Sequence, residues 1–273
     1  MNYRHAYHAG NFADVMKHMA LALCLTYLKK KETPFCVIDA HGGIGHYNLL
    51  GDEASKTKEW QDGVGRFMGD EDMPGEFLPY WMQVEDDLAR YQYPGSPTLI
   101  ARLLRPGDRL IANELHPEDV LTLEKNMASF THARITHMDA YECIRAHVPP
   151  PEKRGLVLID PPFEKKDEFD TLCTQMTEWQ KRWPTGVYML WYPIKSHLPI
   201  SELVSAAMGL GIHRTWQCEC LKYPSDQPDT FNGSGLIIFN APFTVPESIQ
   251  NIFGYLKTQM GLYDCRSSWL TSA

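Results

Sequence analysis

Residues 155–163 read Gly-Leu-Val-Leu-Ile-Asp-Pro-Pro-Phe, an unbroken apolar run that ends in a carboxylate, two prolines and an aromatic ring. Such a run is what a parallel strand buried on both faces requires. Asp160 then stands at the carboxyl end of its strand, where open α/β sheets bind ligands. Pro161 and Pro162 lack the N–H that a sheet ladder needs, so the chain leaves the sheet there as a stiff turn. Phe163 adds a flat apolar face. An acceptor, a rigid turn and a stacking platform within four residues suit a planar amine. The competing reading is a strand that ends in a proline turn, with Phe163 in the core.

Other strand ends carry further candidates. An apolar segment at 35–39 runs into Asp39-Ala40-His41-Gly42-Gly43-Ile44-Gly45, whose glycines permit a tight turn and close approach of a ligand. This is not the dinucleotide fingerprint. Gly-x-Gly-x-x-Gly is absent, and the next strand-end acid, Glu114, comes 69 residues after Gly45 where about 20 are expected. Glu114 closes 109–113, Asp139 closes 134–138 and Asp160 closes 155–159, so three strand ends carry acids on one rim. Glu114 can accept from two ribose hydroxyls, and Asp139 from the adenine amine of the same cofactor. Each of these two also precedes a helical pattern, so a solvated loop acid or a helix cap is the alternative for either one. The trio together favours a cofactor site. Ser96, in Tyr-Pro-Gly-Ser-Pro (93–97), reads as an N-cap before a first-turn proline, a place that also allows a cofactor contact. Asp14, Lys17 and His18 are spaced i, i+3 and i+4 and share a helix face. Lys17 and His18 can meet an anionic group such as a methionine carboxylate, or they form a solvated polar stripe.

The elements that must position these residues alternate. Residues 11–31 read as an amphipathic helix, with Phe12, Val15, Met16, Met19, Leu23 and Tyr27 near helical spacing and Asn11 as N-cap. Apolar segments follow at 35–39, 109–113, 155–159, 187–192 and 235–239, with a weaker one at 134–136. Helical patterns at 97–105, 117–130, 167–182 and 200–210 lie between them. Strands alternating with helices imply an α/β fold with a mostly parallel sheet covered on both faces. Strand candidates at 213–222 and 234–240 have no helix between them and read as an antiparallel pair closing one edge. Residues 47–93 break the alternation. They are rich in Gly, Asp, Glu and Trp and read as a helical insertion subdomain, leaving 1–46 and 94–273 as the main domain.

Bulk properties bound the function. The chain has 273 residues, 44% hydrophobic and 22% charged, as a soluble globular protein does. No run of about 18 apolar residues exists, so no membrane span is expected, and the opening residues lack the apolar core of a signal peptide. Seven cysteines, none in a Cys-x-x-Cys pair, point to reduced thiols in the cytoplasm and away from structural zinc; no metal is expected. A net charge of −8 argues against nucleic acid overall. It conceals a basic amino-terminal stretch, with Arg4, Lys17, Lys29, Lys30 and Lys31 against Asp14, and a concentration of acids at 52–87.

These blocks together resemble the bacterial 23S rRNA (adenine-N6)-methyltransferase J family. The resemblance is carried by residues 3–18 (Tyr-Arg-His-Ala-Tyr-His-Ala-Gly-Asn-Phe-Ala-Asp-Val-Met-Lys-His), His-Gly-Gly-Ile-Gly (41–45), Tyr-Pro-Gly-Ser-Pro (93–97), Glu-Leu-His-Pro (114–117), Leu-Ile-Asp-Pro-Pro (158–162) and Leu-Trp-Tyr-Pro (190–193). It spans essentially the whole chain, and the opening block is its most specific part. It implies a Rossmann-like class I methyltransferase sheet with a helical insertion, S-adenosylmethionine as cofactor and 23S rRNA as partner. By position, His18, His41, Ser96, Glu114, Asp139, Ala140 and Asp160 would hold the cofactor, with Lys17 adjacent. Asp160, Pro161 and Phe163 would meet the reacting adenine. Tyr3, Arg4 and His5 would meet the RNA, joined at the rim by Trp191, Tyr192 and Lys195. The family often has Tyr where Phe163 stands and Gly where Ala140 stands. A monomer is expected. The rival readings are an aminomethyltransferase acting on DNA or on a protein side-chain amide, a nicotinamide-dependent oxidoreductase, and a catalytically silent RNA-binding module.

Overall fold

The apolar runs become strands of one eight-stranded sheet in the computed structural model, which describes residues 4–165 and 167–271. Tyr3 lies outside the described residues. In chain order the strands are β1 (Cys36–Asp39), β2 (His46–Asn48), β3 (Gln92–Pro94), β4 (Arg109–Asn113), β5 (Ala133–Thr136), β6 (Gly155–Ile159), β7 (Val187–Ile194), β8 (Trp216–Leu221), β9 (Gly233–Phe239) and β10 (Asp264–Trp269). The main sheet runs β10-β8-β9-β7-β6-β1-β4-β5, while β2 and β3 pair as a separate ribbon. Strands β5, β4, β1, β6 and β7 are mutually parallel. Asp39 lies level with Ala112 of β4 and Leu158 of β6, so these three strands end together and present one rim.

The antiparallel pair β8 and β9 forms as expected, but it does not close the edge. β9 pairs with β7, and β10 adds to the far side of β8 with Cys265 opposite Cys220 and Trp269 opposite Trp216. β10 has the composition of a half-solvated edge, Asp-Cys-Arg-Ser-Ser-Trp, with every residue at least partly exposed. A strand of that kind leaves no continuous apolar run to find.

The first helix, α1 (Phe12–Leu28), begins at Asn11, whose side chain accepts from the N–H groups of Ala13 and Asp14 at 3.0 Å each. Of its 17 residues 15 are buried, so it is a central helix and not one with a single apolar stripe. The core that surrounds it takes in strand residues Val37, Leu110 and Leu158 and also Trp60, Val64, Phe67, Phe77 and Tyr80 of the segment 47–93. That segment opens and closes on the β2–β3 ribbon and holds short helices at Asp52–Thr57 and Glu59–Asp62, a 3-10 turn at Val64–Phe67 and a helix at Leu78–Leu88. Phe67 and Phe77 meet at 4.6 Å between ring centroids, and both reach Tyr255 near the carboxyl end. The segment holds eleven of the acids and four of the bases. Nearly all of the net charge therefore resides there, and the remaining chain is close to neutral.

Candidate active site

A cavity of about 700 Å³ opens where β1, β4 and β6 end, walled by the first turns of α1 and by the chain beyond β6 and β7. Ligand sites for small molecules span about 300–1,000 Å³. Its lining brings together His5, Lys17, His18, His41, Ser96, Glu114, Asp139, Ala140, Asp160, Pro161 and Phe163. Arg4 is not part of the lining; it pairs with Glu118 at 3.0 Å on the exposed surface.

The sheet order explains why the acids converge. Strands β6, β1, β4 and β5 are neighbours in that order, so Asp160, Asp39, Glu114 and Asp139 stand in a row across the rim. Glu114 is no helix cap, since the helix Pro117–Met127 has His116 in that place. One carboxylate oxygen of Glu114 accepts from the N–H of Gly43 at 2.8 Å and the other from the N–H of His116 at 2.7 Å. Burial raises its proton affinity, and these two N–H groups oppose the rise. Asp139 does cap the helix Ala140–His147, its Oδ1 accepting from the N–H groups of Tyr141 and Glu142 at 2.9 and 3.2 Å. It also lines the cavity, so capping and ligand contact are compatible there.

Asp39 is the member of the row that sequence reasoning missed. It is wholly buried, and burial pushes its pKa up to about 7, with the Ser96 hydroxyl and the His41 N–H opposing the rise and the charge of Asp160 adding to it. The available signal was positional, because Asp39 ends β1 as the other three acids end or follow their strands.

Ser96 lies beside Asp39, but it is the first residue of the helix Ser96–Leu103 and not its N-cap. Gly95 holds the cap position, its N–H donating to the Gly45 carbonyl at 2.9 Å. A Cβ on Gly95 would stand 2.9 Å from the Tyr47 ring, so only glycine fits where the loop after β1 meets this helix. Gly43 has φ +59, and a Cβ there would lie 2.2 Å from the Tyr47 hydroxyl. These close approaches turn the Gly43 N–H toward Glu114.

Lys17 bridges two carboxylates, Asp14 at 2.9 Å and Asp160 at a shorter separation. Burial alone would lower its proton affinity, but the two acids raise it well above the usual lysine value. Asp14 also accepts from the Gly10 N–H at 2.9 Å and contacts His5 Nε2 at 2.8 Å. His18 shares the α1 face as expected, but it is not a second cation. Burial pushes its pKa down to about 3, and its Nδ1 meets the Tyr93 hydroxyl at 2.8 Å. His41 is likewise held neutral, pushed to about 4 by burial. Its Nδ1 accepts from the Asp160 N–H at 3.2 Å, which leaves the ring proton on Nε2.

Phe163 has φ +51, a left-handed conformation rare for an aromatic residue and often found at functional sites. Its ring rests on Phe169 at 5.0 Å and meets Trp191 at 5.8 Å and 63°. It is thus partly core-packed and also part of the cavity wall. Trp191 and Lys195 line the cavity. Tyr192 does not belong to the rim, because it is fully buried and donates its hydroxyl to Glu219 at 2.8 Å. Successive residues of a strand point to opposite faces, which separates Tyr192 from Trp191. Among the described residues no group of three or more His, Cys, Asp or Glu is arranged to hold a metal ion.

Comparison with known proteins shows the family of the chain. The chain is 34% identical to ribosomal RNA large subunit methyltransferase J of Escherichia coli (strain K12) and 35% identical to the protein of that name from Haemophilus influenzae, covering 99% of both chains in each case. It superposes on the crystal structure of protein LPL1258 from Legionella pneumophila with a TM-score of 0.87 and 30% identity, over 96% of this chain and 97% of that one. A family model described as RsmJ, ribosomal RNA large subunit methyltransferase D, RlmJ, matches residues 32–271, and the chain belongs to that family.

Proposed function

We infer that the chain is an S-adenosylmethionine-dependent methyltransferase that modifies the N6 amino group of an adenine in 23S rRNA. One observation carries the reading: the Asp160-Pro161-Pro162-Phe163 turn and the strand-end acids Glu114 and Asp139 converge on one cavity. The residues present fit the cofactor. Glu114 offers its fixed carboxylate to a ribose diol, and Asp139 with Ala140 stands where an adenine amine would be met. When bound, the cofactor supplies an electrophilic methyl group on a sulfonium.

The chain's own residues prepare the amine. An adenine amino nitrogen is a poor nucleophile because its lone pair is delocalised into the ring. Asp160 and the Pro161 carbonyl accept the two amino hydrogens, which favours a more tetrahedral nitrogen. Lys17 occupies Oδ2 of Asp160, leaving Oδ1 for the amine. The His41 contact to the Asp160 N–H fixes the turn. Most of the rate gain then comes from orientation and fixed dipoles. The base must leave its stack to reach this depth, and Phe163 holds it by stacking worth about 1–3 kcal/mol.

Tyr3, Arg4 and His5 meet the RNA. We assign 47–93 as a helical insertion in a methyltransferase domain formed by 1–46 and 94–273, and the protein as a cytoplasmic monomer. No described helix is long and apolar enough to cross a membrane. The decisive experiment maps N6-methyladenine in 23S rRNA from cells with and without the protein. One adenine should lose its methyl group without it, and an unchanged map would overturn the function.

A further inference from the structure

Strand β7 is buried at every position but one. The exception is Trp191, which stands half-open on the cavity. Its indole is pinned from behind, with Nε1 donating to the hydroxyl of Ser234 at 2.8 Å. Ser234 is itself fully buried on β9, opposite Pro193 of β7. In front of the indole stand two groups already placed at the reacting centre. The Lys17 ammonium lies 5.8 Å from the indole centroid. The Phe163 ring lies at 5.8 Å, its plane inclined by 63°.

We propose that Trp191 is the second wall of the base slot, forming with Phe163 an apolar corner that turns the flipped adenine so that its amino edge faces Asp160. This rests on the function inferred above. The argument is one of matched chemistry. The two rings are steeply inclined, so a base lying flat on Phe163 meets the indole edge to face. The indole's single donor is spent on Ser234, so the wall it presents offers the base no hydrogen bond. A polar edge of the base turned toward that wall would lose its hydration without replacement, which is costly in a desolvated site. The Asp160 carboxylate and the Pro161 carbonyl, beside the Phe163 face, accept the amino hydrogens. Lys17 over the same ring, in cation–π range, ties the position of the wall to that of the acid.

The test uses the full-length protein and an RNA fragment containing the methylated adenine. A second copy of the fragment carries 2-aminopurine, which reports loss of stacking by fluorescence, at that position. Trp191→Ala should lower kcat/KM for RNA by about 5- to 150-fold, the range expected for one base–aromatic contact. It should leave cofactor affinity within about twofold of wild type and make the bound 2-aminopurine brighter. Trp191→Phe should recover most of the loss. Ser234→Ala keeps the indole and removes its tether, so it should give a smaller loss of the same kind. Unchanged kcat/KM in Trp191→Ala, or cofactor affinity falling in step with it, would overturn the slot. A wild-type protein that methylates no adenine in this RNA would instead overturn the underlying function, and the slot with it.

Discussion

The main-chain N–H of Gly43 donates to the Glu114 carboxylate at 2.8 Å, joining the glycine turn after β1 to the end of β4. With the His116 N–H on the other oxygen at 2.7 Å, the carboxylate is held by one fixed donor on each side. Glu114→Gln is therefore not a mild change. Whichever way the amide is turned, its NH₂ faces a main-chain N–H, leaving two buried donors opposed. The expected loss is about 1–3 kcal/mol of local hydrogen bonding, read as a rise of about 5- to 150-fold in cofactor Kd by calorimetry. Glu114→Gln should be about as poor as Glu114→Ala. Near-normal affinity in the glutamine variant would show that the carboxylate is not the group that binds.

Asp160 and Lys17 separate chemistry from support. Asp160→Asn keeps the size of the side chain but loses an acceptor and the charge that faces Lys17. Methyl transfer should fall by at least about a hundredfold, the scale of losing a positioned acid–base or electrostatic group, while the fold persists by circular dichroism. Lys17→Met removes the partner of two carboxylates, Asp14 among them buried. Breaking a buried pair from one side costs about 3–5 kcal/mol, so this variant should unfold at clearly lower urea. Normal turnover by Asp160→Asn would remove that residue from the reaction.

Phe163 tests whether a hydroxyl is needed beside the reacting amine. The ring already meets Phe169 and Trp191, and stacking needs only the face. Phe163→Tyr should retain activity within a few-fold of wild type. Phe163→Ala should lose about 5- to 150-fold in kcat/KM for RNA, the worth of one stacked base. If Phe163→Ala turned over RNA normally, the ring would serve the core alone.

The parts of this architecture that were readable in the sequence are those with a local pattern. The runs 109–113 and 155–159 are continuous because β4 and β6 are covered on both faces, and their ends place Glu114 and Asp160 without further information. β2 and β3 have three residues each, and Tyr47 finds its partner Tyr93 only across the whole insertion, so no local signal marks them. β10 is polar because it is an edge. Ser96 was displaced from the cap by Gly95, whose role depends on how closely Tyr47 and Gly45 approach it, a tertiary fact. Tyr192 differs from Trp191 by one residue and therefore by one sheet face. Asp39 sat within the glycine motif, and only the strand order, with β1 between β6 and β4, shows that it belongs to the row of acids.

Buried Asp39 and the two neutral histidines set opposite pH dependences. His18 and His41 have folded pKa values near 3 and 4, below the ordinary 6.5. Between those limits the unfolded chain binds two protons that the native site refuses, so stability falls as pH drops from about 6.5 toward 4. Asp39 acts in the other direction. Its folded pKa of about 7 lies above the ordinary 3.8, so the native state keeps a proton that the unfolded chain releases, and stability falls as pH rises from about 4 to 7. Each contributes a slope of about 1.4 kcal/mol per pH unit in its window. The wild type should therefore lose stability on acidification from pH 6.5 to 5 with the slope of about one net proton. Asp39→Asn cancels the opposing contribution. Urea unfolding should show it more stable than wild type by roughly 4 kcal/mol at pH 8, with the gap closing toward pH 4 and the acid limb nearly twice as steep. The same substitution removes the negative charge beneath the cofactor cavity, so cofactor affinity should fall while stability rises. Equal stability of the two proteins at pH 8 would mean that Asp39 bears no burial penalty at the floor of this site.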